Sequence, residues 1–209
     1  MNQTLPENLF EAEDQITNSI LKFLSTKQTG WISIDIRFEG LRIMPVGIRL
    51  CKMLQDQKYK TILIFGDAGS TALAKRDAPE LISNIKSFKE ILAIESPFSV
   101  GHLLLAVSPQ PYDYEEFENI CQKHNGNVIM LNGKLDDSEV GIGSVARARR
   151  KGFFMKWQNI YWLQPLKKAA LLHTYSSDWI IFKETDKGYI KHQMFTEKPD
   201  SETIFESLL

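Results

Sequence analysis

Thr61-Ile62-Leu63-Ile64-Phe65 is an unbroken apolar run, and Gly66-Asp67-Ala68-Gly69 ends it. Such a run reads as a parallel strand buried on both faces, because only a sheet covered by helices on each side leaves no polar position along the strand. The glycines then turn the chain, and Ser70 to Arg76 carries a short helix. Strand, turn and helix in that order are the unit from which parallel sheets are built.

The same grammar extends in both directions. Upstream, Pro45 opens a helix whose buried stripe is Val46, Leu50, Met53 and Leu54. Before it, the alternation in Trp31–Phe38 reads as a strand with one wet face (Ser33, Asp35, Arg37), near a sheet edge. The first helix spans about residues 6 to 26, with Thr4 and Glu7 at capping-box spacing. Downstream, Asp77 and Glu80 mark a second helix start carrying Leu81, Ile82 and Ile85. Ile91–Ile94 reads as a short strand, and Leu103–Val107 as a buried one. Tyr114, Phe117, Ile120 and Cys121 form a helix stripe, started by Asp113 and Glu116 and stopped at Asn125-Gly126. Val128–Leu131 is a further buried strand, and a helix follows from about Ile142 to Lys156. After it the pattern changes to short strands around Ile160–Gln164, Ala170–Tyr175, Asp178–Glu184 and Tyr189–Phe195. A hairpin turn falls at Thr185–Gly188, and a short helix follows Pro199. The expectation is one α/β domain over residues 1–209: a Rossmann-like three-layer fold with a mostly parallel central sheet and a C-terminal antiparallel extension.

Composition sets the outer limits. The chain has 209 residues, 43% hydrophobic and 24% charged, with a formal net charge of −1. That is globular composition with enough apolar surface for a core. The near-neutral balance argues against a dedicated nucleic-acid binder, which carries a basic excess. Cys51 and Cys121 lie in helical patterns and read as buried free thiols of a reducing compartment. The scattered His102, His124, His173 and His192 offer no metal-ligand spacing, so no metal and no cofactor is expected. The start of the chain lacks a basic and then apolar leader, and no stretch reaches the roughly 18 apolar residues of a membrane span. A cytoplasmic protein, able to visit a membrane surface, is the expectation.

Ligands of open α/β sheets gather at the carboxyl ends of the strands, beside helix N-termini. Two segments have that layout. In the first, Gly66–Thr71, small residues allow close backbone approach. Asp67 suits a sugar hydroxyl or a proton, and the amides around Gly69 and Ser70 suit an anion. The segment is neither a Walker A loop nor G-x-G-x-x-G. A tight turn with Asp67 as a local cap is the plainer reading of this segment. In the second, Asn132 to Arg150, Gly141 and Gly143 precede a helix on which Ser144, Arg147 and Lys151 share a face, with Arg150 adjacent. Arginine's rigid fork suits phosphate or carboxylate. Asp136, Asp137 and Glu139 compete with such an anion, and a solvated charged face is the plainer alternative. A shared pocket requires the bend after Phe65 and the bend before Ile142 to open on one rim. His173, Trp157, Tyr161, Trp162 and Trp179 read as packing residues.

Several segments together resemble a known family. Phe65–Gly69 running through Ala72-Leu73-Ala74-Lys75-Arg76-Asp77 is similar to one of its signatures. Leu131-Asn132 to Leu135-Asp136, with Gly141-Ile142-Gly143 and Arg147, is similar to a second. Tyr161–Pro165 with Tyr175 and Trp179 is similar to a third. The chain resembles a cyanobacterial and plastid domain-of-unknown-function family, which includes the plant Low Photosystem II Accumulation 3 protein and an extra domain of a plastid adenylate kinase. The likeness covers nearly the whole chain. It departs at Gly133, at Ala78-Pro79, at Gln164 and at Ser176. The resemblance implies a protein of the photosynthetic cell. It implies a non-enzymatic accessory factor for assembly or accumulation of photosystem II, with a photosystem II subunit or assembly intermediate as partner and a peripheral place at the thylakoid membrane. It implies no reaction. The residues themselves keep a second reading open: an enzyme or sensor for a phosphate-bearing small molecule, with Arg76 added to the anion-binding candidates.

Overall fold

A computed structural model describes residues 3–94, 101–135 and 144–209; the side chains of 144–147 are not described. The chain divides into two compact units, one of residues 1–27, 34–41 and 159–209, the other of residues 28–33 and 42–158.

The second unit carries the parallel strands. β2 (Lys60–Phe65), β3 (Ile85–Ser87), β4 (His102–Val107) and β5 (Val128–Leu131) are parallel, in the order β3-β2-β4-β5. β2 is buried from Thr61 to Phe65, as an unbroken apolar run requires. α2 (Ile43–Asp56), α3 (Ala68–Asp77), α4 (Phe88–Leu92), α5 (Tyr114–Lys123) and α6 (Ser144–Phe154) belong to this unit. α2 turns Val46, Leu50 and Leu54 inward. Gly47 is required there, because an added Cβ would sit 2.6 Å from Val107 Cγ2. Under α5 and α6 lies an aromatic core. Phe117 stacks on Phe88 at 5.3 Å and on Trp157 at 5.7 Å, and Phe153 meets Tyr114 at 5.4 Å edge to face.

The first unit carries α1 (Leu9–Ser25) and the antiparallel β6 (Trp157–Leu166, from Asn159 on), β7 (Ala169–Thr174), β8 (Trp179–Thr185) and β9 (Gly188–Phe195), closed by α7 (Ser201–Leu208). Trp162, Leu171, Trp179 and Ile181 form its core on one sheet face, with Ile204 and Leu208 of α7 against them. Gly188 makes the β8–β9 turn with φ +98°. Tyr161, Trp162 and Trp179 are buried as the sequence suggests. His173 stacks on Trp179 at 4.5 Å.

β1 (Trp31–Ile36) gives Trp31–Ser33 to the parallel unit, beside β5, and Ile34–Ile36 to the antiparallel unit, beside β6. Its expected wet face is buried: Ser33 and Asp35 are 8% and 6% exposed. Asp35 tolerates this because Arg37 Nη2 donates to it at 2.6 Å and Asn159 Nδ2 at 2.9 Å. Three further expectations are corrected. Asn8, not Thr4, caps α1, accepting from the Glu11 amide at 3.0 Å. Residues 79–84 form a 3-10 turn, and Ile85 begins strand β3. Ile91 lies in α4, not in a strand, because Ser87 and Glu90 form a capping box that starts a helix at Phe88. No described helix is long and apolar enough to cross a membrane.

Candidate functional site

Within the parallel unit a pocket of about 290 Å³ opens at the carboxyl ends of β2 and β4. Its apolar walls are Phe65, Val107, Ile43 and Met44. Its polar groups are Asp67, Ser70, Ser108, Gln110 and Asp113, with Tyr112 beside them. Lysine and arginine are missing from the described lining.

Each polar group is held by its local chain. Asp67 is the N-cap of α3, and its Oδ1 accepts the Ser70 amide at 2.7 Å. That hydrogen bond keeps its carboxyl below the ordinary value of 3.8. Ser108, the first residue after β4, has φ +50°, a strained conformation for a side-chain-bearing residue. Gln110 Nε2 donates to Ser108 O at 2.7 Å and to Ser108 Oγ at 3.0 Å, fixing the bend. A 3-10 turn from Pro111 to Asp113 follows, and the Gln110 amide donates to Asp113 Oδ2 at 2.7 Å. Asp113 is only 8% exposed, and burial raises its carboxyl above 3.8, with Glu116 and Asp67 adding to the rise. Gly66 is what lets it sit there, because a Cβ at that position would lie 2.6 Å from Asp113 Oδ1.

The pocket therefore holds two carboxylates with opposite proton bias, an ionised one at its exposed rim and a more readily protonated one in its wall. Chemically, such a pair can hold a cation, accept hydrogen bonds from hydroxyls, or divide the roles of proton acceptor and donor. The start of α2 also lines the pocket. Arg42 gives it no side-chain cap, and the amides of Ile43 and Met44 have no partner among the described residues.

The structure sorts the residues singled out from the sequence. Asp67 and Ser70 line the pocket. Gly69 lies in the first turn of α3, whose Ser70 amide is taken by Asp67 itself. Arg76 lies in the last turn of α3, paired with Asp77 at 2.9 Å and 74% exposed. Asn132 follows β5 with φ +50° and is half-buried. Gly141, Gly143 and the acids Asp136, Asp137 and Glu139 lie outside the described residues, as do the side chains of Ser144 and Arg147. Whether the two bends share a rim therefore also falls outside them. Arg150 stands over the Tyr114 ring at 4.8 Å, and Arg149 pairs with Glu118 at 2.5 Å. Glu118 is 2% exposed, so the pair ties α6 to a buried position of α5.

Sequence reading missed Asp113, Gln110, Ser108 and Tyr112 as site residues. Asp113 reads there as a helix start, which it also is. The signal that could have found the group is Pro109-Gln110-Pro111-Tyr112-Asp113, directly after a buried parallel strand.

Residues 6–206 match the model of a domain of unknown function, DUF1995. No curated protein and no solved structure matches the chain. The chain belongs to that domain-of-unknown-function family.

Proposed function

We propose, taking membership of that family as the premise, that the protein is a non-enzymatic accessory factor that acts by binding, with the pocket between Asp67 and Asp113 as its recognition site. The observation that carries the binding reading is the carboxylate pair: both groups line one pocket at the carboxyl ends of neighbouring parallel strands, where ligands of open α/β sheets collect. A Rossmann-like reading of the parallel unit agrees with that position. The setting, assembly or accumulation of photosystem II, is supported by the likeness of the three sequence segments to a cyanobacterial and plastid family. The partner is then a photosystem II subunit or an assembly intermediate met at the thylakoid surface.

The test is affinity capture from detergent-solubilised thylakoids with the wild-type chain and with Asp113→Asn, read by immunoblot for photosystem II subunits. Recovery with the wild type that falls severalfold with the variant is the expected result. Equal recovery with both chains would detach the pocket from the partner, and recovery of no photosystem II subunit would remove the setting.

A second reading, an enzyme or sensor for a phosphate-bearing small molecule, is favoured by the uncapped start of α2 at the pocket wall. The acidic lining counts against a phosphate deep in this pocket. A sugar-phosphate panel in a thermal-shift assay separates the two readings, since a bound ligand raises the melting temperature by mass action.

A further inference from the structure

The antiparallel unit holds a cavity of its own, an apolar trough of about 380 Å³ between the chain entering α1 and the turn that follows β1. Ala12 and Leu163 are the buried members of its lining. Pro6, Leu9 and Leu41 are half-buried, and Phe38, 46% exposed, lines it as well. Both sides are held by their own hydrogen bonds. On the α1 side Gln15 Nε2 donates to Thr4 O at 3.0 Å, and the Glu7 amide donates to Glu11 Oε2 at 2.9 Å. On the other side Leu41 N donates to Phe38 O at 3.4 Å around Gly40, whose φ of +74° suits glycine. The trough is thus preformed, which lowers the entropy cost of filling it.

The charge around the trough has one sign. Glu7 and Glu39 are exposed members of the lining, which holds no lysine or arginine. Arg37, the neighbour of Phe38, is paired with Asp35 at 2.6 Å. Phe10, Glu11 and Asp14 follow on the exposed face of α1 at three- and four-residue spacing, and Phe10 is 69% exposed. Exposed apolar rings set among carboxylates suit a partner that brings apolar groups and positive charge together. A small molecule matches less well, because small-molecule sites enclose most of their ligand, whereas Phe38 stays nearly half exposed and Phe10 is outside the lining. We propose that this trough docks a basic, apolar-anchored segment of a partner protein. Its apolar side chain seats on Ala12, Leu163 and Phe38, and its flanking lysines or arginines meet Glu7 and Glu39. Burial of the anchor supplies most of the affinity, and the charges select the segment. The site lies within the antiparallel unit and stands apart from the reading of the Asp67 and Asp113 pocket.

The experiment is binding of the full chain to an array of short peptides in which apolar residues are flanked by lysine and arginine. Matched peptides carry glutamate in place of the basic residues, or serine in place of the apolar ones. Peptides that bind are remeasured in solution by fluorescence anisotropy with wild type, Phe38→Ala, the double variant Glu7→Gln with Glu39→Gln, and Asp113→Asn. Phe38, Glu7 and Glu39 are exposed, so their substitutions leave the core intact. At least one basic apolar peptide should bind wild type, about tenfold more weakly Phe38→Ala, and about fivefold more weakly the double variant. Asp113→Asn should bind it like wild type, and neither matched control should bind. Equal affinity for every protein, or binding of the serine peptides, would mark general attraction between charges and overturn the proposal. An array in which nothing prefers wild type to Phe38→Ala would overturn it too. Without peptide binding, Phe38-dependent binding of octylamine would give the trough to a small amphiphilic amine, and a dimer lost in Phe38→Ala would give it to a second copy; either overturns the peptide reading. Peptide binding lost only in Asp113→Asn would place the contact in the other pocket and overturn this site while leaving that one standing.

Discussion

Asp67 and Asp113 are the same residue type, two and six residues beyond the ends of adjacent strands, yet their surroundings push them in opposite directions. Asp67 is exposed and spends its charge on the Ser70 amide. Asp113 is buried, with one backbone donor. Linkage turns this into opposite stability profiles. The folded chain holds Asp67 ionised more readily than the unfolded chain does, so its contribution is present above 3.8 and is lost as pH falls through the depressed value. The folded chain holds a proton on Asp113 more readily, so that contribution is full below 3.8 and is lost as pH rises through the raised value. Urea unfolding across pH should therefore show Asp113→Asn flattening the decline on the alkaline side of 3.8. An unchanged profile would mean the carboxyl is solvated. Asp67→Ala should cost about 1 kcal/mol by loss of the N-cap, with Asp67→Asn close to wild type. Gly66→Ala should cost about 1–3 kcal/mol, because the new methyl meets the Asp113 carboxylate. A neutral Gly66→Ala in the same unfolding assay would show that the wall of the pocket yields.

At the scale of elements, what the sequence made legible follows from periodicity. β2, β4 and β5 are continuous apolar runs, and α1, α2 and α5 carry clear stripes, so burial alone dictates them. The segment from Pro79 to Ile94 resisted because its apolar residues have no single period. Leu81 is buried while Ile82 is 56% exposed, and local capping by Ser87 and Glu90 decides where the helix starts. β1 misled for a different reason. Alternation normally marks a half-wet strand, but Asp35 and Ser33 are buried, and beside its neighbour Arg37 the Asp35 carboxylate is satisfied by Asn159, distant in sequence, which no local pattern encodes. Half of the site was legible for the same reason: Asp67 and Ser70 lie directly after β2, whereas Asp113 enters through a capping box two turns beyond β4. The tie between α5 and α6 also joins distant residues. Arg149→Ala would leave the buried Glu118 carboxylate without its cation. Calorimetry should register a lowered melting temperature, moderated because the Arg149 side chain is 61% exposed. A drop within error would mean that solvent already serves Glu118.

For the molecule as a whole, charge and placement agree. The net charge is −1, and the two arginines of α6 whose side chains are described are already engaged, Arg149 with Glu118 and Arg150 with the Tyr114 ring. Among the described residues of the parallel unit, the acidic pocket at the strand ends is open to a ligand. The account stands on Asp67 and Asp113 sharing that pocket, and their proton equilibria report it directly. Carbon-detected NMR titration of the two side-chain carboxyls in wild type and in Asp67→Asn is the measurement. The prediction is an Asp67 midpoint below 3.8, an Asp113 midpoint above it, and a fall in the Asp113 midpoint when the Asp67 charge is removed. Two ordinary midpoints, with Asp113 indifferent to Asp67, would contradict the shared site.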